Sequence, residues 1–217
     1  HDVGAIGFYS KRKIVDVAGL VTPELITKIS DANYVDEMKQ YLNKNGVTYL
    51  AFLREWYRVV NQNPLFTTQD ISPMEIMEVF KYEPNKTTIL SKLSNSIIME
   101  VQNRFGSKNP QQIQSTVQLL NRSLQADPNS SLSYFYLGIG SLMNNDTKNG
   151  ETFLLKAVEL FPDFKDANLQ LGILYKRSGR NEEAKKFLEK YIMLNPNDQK
   201  VKEELKQVDE LMKSGSK

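Results

Sequence analysis

The sequence predicts an α+β chain: a small N-terminal α/β unit over residues 1–84, then an all-α solenoid of helical hairpins over 85–217 that ends in a capping helix. Two observations carry this. Pro128, Pro162 and Pro196 recur at a fixed interval of 34 residues, as do Leu137-Gly138 and Leu171-Gly172. Before residue 84, by contrast, β-branched and aromatic runs of strand length alternate with helical periodicity.

A 34-residue period, with a small residue inside one helix and a proline closing the next, resembles the tetratricopeptide repeat. Leu171, Gly172, Tyr175, Ala184, Leu188 and Pro196 carry the likeness most fully. Each residue has a physical role. Gly172 and Ala184 let two antiparallel helices approach, Leu171, Tyr175 and Leu188 fill the seam, and Pro196 stops the second helix. The units fall at about 97–130, 131–164 and 165–198, with a polar cap at 199–213. The first is degenerate, since Asn103 and Arg104 stand where Leu and Gly belong; the second has Gly150 where alanine is usual.

Composition narrows the function classes. A formal charge of +2 with interleaved signs supplies no basic stripe, so no nucleic-acid partner is expected. The absence of cysteine excludes disulfides, thiol catalysis and cysteine-rich metal sites. No residue pattern calls for a cofactor or metal. The apolar run Val3–Ser10 is far too short to span a membrane. The chain starts at His1 without a charged-then-apolar leader, which predicts a boundary inside a longer protein.

In the first unit, Val3–Tyr9 and Lys13–Val17 read as strands, and Thr22 caps a helix bearing Leu25, Ile26 and Ile29. A second helix runs from about Tyr34 to Asn45, with Val35, Met38 and Leu42 on one face and Gly46 as its stop. Val47–Leu53 reads as a strand, and the strand-helix-strand order predicts a parallel pair with a right-handed crossover. Arg54–Asn61 reads as a short helix carrying Trp56, Met74–Tyr82 as another strand, and Pro84-Asn85 as a hinge. Ile89, Leu93, Ile97, Val101 and Phe105 then predict a long helix ended by Gly106, and Asn109-Pro110 starts its partner.

Asp2, Gly4, Gly7 and Asp16 form the candidate site of the N-terminal unit. The GxxG pair lacks the third glycine, lysine and downstream acid of phosphate-binding fingerprints, so a tight turn is the plainer reading. An enzyme built on these residues has no assembled nucleophile, base and orienter. Asn85, Asn121, Asn129 and Asn145 begin glycosylation sequons, read as coincidence in a chain so rich in Asn and Ser.

The segment from His1 to Glu24 also resembles a stretch beyond the membrane-spanning part of bacterial polytopic glycosyltransferases, relatives of the protein mannosyltransferases. The matching residues are Asp2, Gly4, Gly7 and Phe8, then Asp16, Gly19 and Leu20, and the likeness covers roughly residues 1–60. The resemblance implies a non-catalytic accessory domain on the extracytoplasmic side of a bacterial membrane, attached to a transferase whose membrane part precedes His1. That family's catalytic acids lie in loops this chain does not contain, so no catalytic residue carries over.

The inner face of a repeat array comes from the first helix of each unit. Here it comprises Leu132, Phe135, Ile139, Leu142 and Met143, then Asp166, Leu169, Ile173, Lys176 and Arg177, a groove that passes from apolar to basic. Tyr134, Phe135 and Tyr136 are adjacent and cannot share one stripe, which predicts two packed rings and one facing outward. Either the α/β segment or the first helices fold back onto the inner face, or that face holds a protein or peptide partner with apolar anchors and an acidic flank that meets Lys176 and Arg177. A freestanding or secreted peptide-binding adaptor is the alternative to the transferase accessory.

Overall fold

The computed structural model describes residue 25 and residues 33–71, 75–104 and 110–215. The expected strands before residue 20, the Thr22 cap, Ile26, Ile29, Phe105 and Gly106 lie outside the described residues. The chain divides into two compact units, residues 1–99 and 100–217.

In the first unit, α1 (Tyr34–Lys44) buries Tyr34, Val35, Met38 and Leu42 along one face, with Asp36 and Glu37 in its first turn and Lys44 in its last complementing the helix dipole. Gly46, at φ +62°, takes the left-handed conformation that ends it. The strands are β1 (Tyr49–Leu53), β2 (Val59–Val60), β3 (Phe66–Thr67), β4 (Met77–Lys81) and β5 (Thr88–Ile89). β4 lies between β1 and β3, and β2 pairs with β5. Every pairing among the described residues is antiparallel, with Leu50 opposite Phe80 and Phe66 opposite Val79.

Among the described residues β1 pairs with the later strand β4, and the earlier strand of the expected parallel crossover lies outside them. The expected helix at Arg54–Asn61 is absent: residues 54–56 form a turn and Val59–Val60 a strand. Tyr57, Val59 and Val60 are all buried, and consecutive burial suits a strand enclosed on both faces better than an amphipathic helix. Leu50, Phe52 and Phe80 point to the side that packs on Tyr34, Met38 and Leu42, and Leu25 joins this core. Residues beyond Pro84-Asn85 still serve this unit, since Ile89 lies in β5 and is fully buried.

The described residues then form seven further helices: α2 (Lys92–Arg104), α3 (Pro110–Ala126), α4 (Ser131–Met143), α5 (Thr147–Leu160), α6 (Lys165–Arg177), α7 (Asn181–Leu194) and α8 (Gln199–Gly215). α2 is shorter than expected. Its buried stripe is Ile97, Ile98 and Val101, while Leu93 is exposed. The ends of α3, α5 and α7 fall at Ala126, Leu160 and Leu194, and the starts of α4, α6 and α8 at Ser131, Lys165 and Gln199. Both sets keep the 34-residue period of the sequence. α4 packs on α5, α6 on α7, and α8 closes against α7.

The caps differ between repeats. Ser130 Oγ accepts from the Ser133 backbone N–H at 3.2 Å, and Asp146 accepts from Asn149 N–H at 3.1 Å. At the last helix Asp198 accepts from Val201 N–H at 3.2 Å while Tyr191 donates its hydroxyl to the same carboxylate at 2.8 Å. The Tyr191 hydrogen bond and the Val201 amide hold the Asp198 carboxyl below the usual carboxylate range.

Candidate functional site

The face of α4 is built by residues that its neighbours only partly cover. Phe135 is half-buried, its ring centre 5.0 Å from that of Phe164 at the start of α6 and 5.3 Å from that of Tyr136. Ile139 and Leu169 rest against the core without being enclosed by it. Leu132 and Ile173 are half-buried, and Asp166 and Arg177 are exposed. Met143, in the last turn of α4, is 39% exposed.

Leu142 departs from this pattern. A methyl group built on Gly150 would lie 2.5 Å from Leu142 Cδ2, so the Leu142 side chain leans into the seam between α4 and α5. This explains the glycine at a position where alanine is usual: Leu142 fills the space that an alanine methyl would need. In the next repeat the equivalent pair is Lys176 and Ala184; there the long polar chain leaves the seam and alanine returns.

Lys176 is already engaged. Its ammonium donates to Glu204, and to Gln207 at 2.6 Å, both on α8. The sequence marks α8 only as a cap. Its Glu204 lies beside Leu205 and one turn before Val208 on an amphipathic helix, a pattern that signals a solvated flank but not the lysine it reaches. Arg177 pairs with no described carboxylate, so the basic end of the face presents one available cation among the described residues.

A separate interlock joins α5, α6 and α7. Tyr175 donates its hydroxyl to Glu151 at 2.9 Å, Arg180 donates to the same carboxylate at 2.7 Å, and the Arg180 guanidinium lies 4.3 Å from the Tyr175 ring centre. Burial first, and then the Glu151 carboxylate, push the Tyr175 phenol up to about 12. Arg180 also pairs with Glu183, whose carboxyl it holds below its ordinary range.

The triplet Tyr134, Phe135 and Tyr136 does not leave one ring facing outward. All three are half-buried and partnered: the Tyr134 ring centre lies 6.4 Å from that of Phe153, and the Tyr136 hydroxyl accepts from Gln102 at 3.0 Å. Asp2, Gly4, Gly7 and Asp16 lie outside the described residues. Among the described residues no cluster of His, Cys, Asp or Glu could hold a metal, and no helix is long and apolar enough to cross a membrane.

Residues 141–207 match the family described as tetratricopeptide repeat, and residues 1–89 match one described as a domain of unknown function. Among solved structures, the first tetratricopeptide domain of Spaghetti (RPAP3), bound to an HSP90 peptide, is similar at 17% identity and a TM-score of 0.50, covering 56% of this chain and 96% of that one. The tetratricopeptide domain of P58(IPK) is similar at 21% identity and a TM-score of 0.52, covering 57% of this chain and 34% of that one. These likenesses establish the repeat fold. No curated protein sequence matches.

Proposed function

We propose that the second unit is a docking module that takes an extended segment of a protein partner along the face of α4 and α6. The observation that carries this reading is the incompletely covered apolar row Phe135, Ile139 and Met143, followed one hairpin later by Arg177, which no described carboxylate neutralises. Apolar anchors supply affinity, and Arg177 orients the segment by pairing with an acidic residue. Lys176 contributes only if the partner's carboxylate displaces Glu204. A similar domain is bound to an HSP90 peptide rich in acidic residues, which supports a peptide as the class of partner.

Panning a random peptide library on the full chain tests this. The expected winners carry apolar residues beside an acid, and Arg177→Glu weakens them by about tenfold, as loss of one charge-assisted contact implies. Winners without acids, or winners indifferent to Arg177→Glu, would refute the assignment.

The finer reading is that the whole chain is the non-catalytic, extracytoplasmic accessory domain of a membrane glycosyltransferase. It rests on the pattern Asp2, Gly4, Gly7, Phe8, Asp16, Gly19 and Leu20. The hydropathy of the reading frame upstream of His1 tests it. Several apolar runs of about 20 residues support it, and their absence leaves the freestanding adaptor.

A further inference from the structure

We propose that the outer face of the β1–β4–β3 sheet is a self-association surface, on which a second copy of this chain packs sheet against sheet. The inner face of the sheet lies on Tyr34, Met38 and Leu42. An antiparallel sheet covered on one side commonly carries polar side chains on the other. This one does not. Tyr49, Ala51 and Leu53 alternate outward along β1, and directly opposite them on β4 stand Lys81, Val79 and Met77. Phe66 of β3 is opposite Val79 from the other side. Cross-strand partners share a face, so these apolar residues form one patch with Lys81 at its end. Tyr49 is 61% exposed and Phe66 52%. An apolar patch of adjoining residues left open to this degree marks a contact surface.

The charges at the two ends of β4 identify the occupant. At one end Glu83 is shared, 3.0 Å from Lys81 Nζ and 2.6 Å from Lys86 Nζ, so two ammonium groups face one carboxylate and a positive surplus remains. At the other end the exposed Glu75 precedes Met77 and pairs with no described cation. A two-fold axis that lies between two such sheets and runs across the strands sets β4 over β4 in the opposite direction. Each Lys81 end then meets the Glu75 end of the other copy, and the apolar centres meet each other. The face therefore complements itself in charge and in apolarity, as an isologous interface requires. A lipid surface calls for a rim of one positive sign, and a peptide for a groove. An open sheet face with opposite charges at its ends offers neither. Three strands spaced about 4.8 Å apart and rising about 3.4 Å per residue give a footprint of roughly 14 by 17 Å. That is at the small end of specific interfaces, so the association is weak and depends on concentration.

Sedimentation equilibrium of the full chain at low ionic strength, from about 5 µM to about 500 µM, tests this. The expected result is an average mass that rises from one chain towards two, with a Kd on the order of 100 µM. Ala51→Glu sets like charges against each other across the axis and raises the Kd at least about tenfold. Ala51 is exposed, so the circular dichroism of that variant matches the parent's. Lys81→Glu also weakens the dimer, and adding Glu75→Lys to it restores association, which the reversed arrangement alone explains. Arg177→Glu, on the face of the other unit, leaves the Kd unchanged, so this test and the peptide test fail separately. The proposal is overturned if the mass stays that of one chain throughout, if Ala51→Glu associates as the parent does, if the double exchange recovers nothing, or if Arg177→Glu abolishes the dimer.

Discussion

A single methyl group separates two kinds of glycine in the repeat unit. At Gly140 an added Cβ would meet Val117 at 3.9 Å, ordinary contact, whereas at Gly150 it would strike Leu142 at 2.5 Å. Gly140→Ala is therefore expected to stabilise the chain by up to about 1 kcal/mol through helix propensity. Gly150→Ala is expected to destabilise it by about 1–3 kcal/mol through overpacking. Urea denaturation distinguishes the two, and pairing Gly150→Ala with Leu142→Ala removes the clash, so the double variant loses less than the two single losses added.

Tyr175 gives a second residue-scale prediction. Its phenol is pushed up from 10.0 to about 12, so the native state holds its proton more tightly than the unfolded chain. Its contribution to stability is complete below pH 10 and is lost as pH rises towards 12. Denaturation midpoints should fall across that window in the parent and fall less in Tyr175→Phe. The regular Leu-Gly and Pro positions were legible in the sequence because close helix approach tolerates few residue types. The direction of Leu142 was not, because the period assigns a face but not a rotamer that leans into the seam.

At the scale of elements, the helices were readable and the short strands were not. Helical periodicity is local, so α1 and α3 to α8 fall close to where apolar spacing, Gly46, Pro110 and the 34-residue interval put them. β2 and β5 contribute only two residues each, and their pairing joins Val59 to Ile89 across a long stretch of chain. No local pattern encodes such a partner. The capping helix is the element whose removal should cost most for its size. Val208 is fully buried and Val201 nearly so, both in the core that includes Leu188 and Tyr191. Truncation after Asn197 exposes that core, and the expected drop in Tm is at least about 5 °C. Lys185→Ala, which removes a half-buried ion pair with Asp209, should shift Tm by less than about 2 °C.

For the whole molecule, two units have separate cores: a helical array whose α4 face leaves an apolar row partly uncovered, and an α+β unit built on Tyr34, Met38 and Phe80. The repeat fold was legible from the period alone. The occupant of its face was not, because the repeat spends its small and seam residues on packing and leaves the face free to vary. The central claim is that a partner lies along α4 and α6. Methyl NMR of methionine-labelled chain with a selected peptide tests it most directly. Met143 lies on the proposed face at 39% exposure, and Met193, at 76%, lies on α7. The account predicts that the Met143 resonance shifts saturably while Met193 stays in place. A shift at Met193 with Met143 unmoved would contradict it.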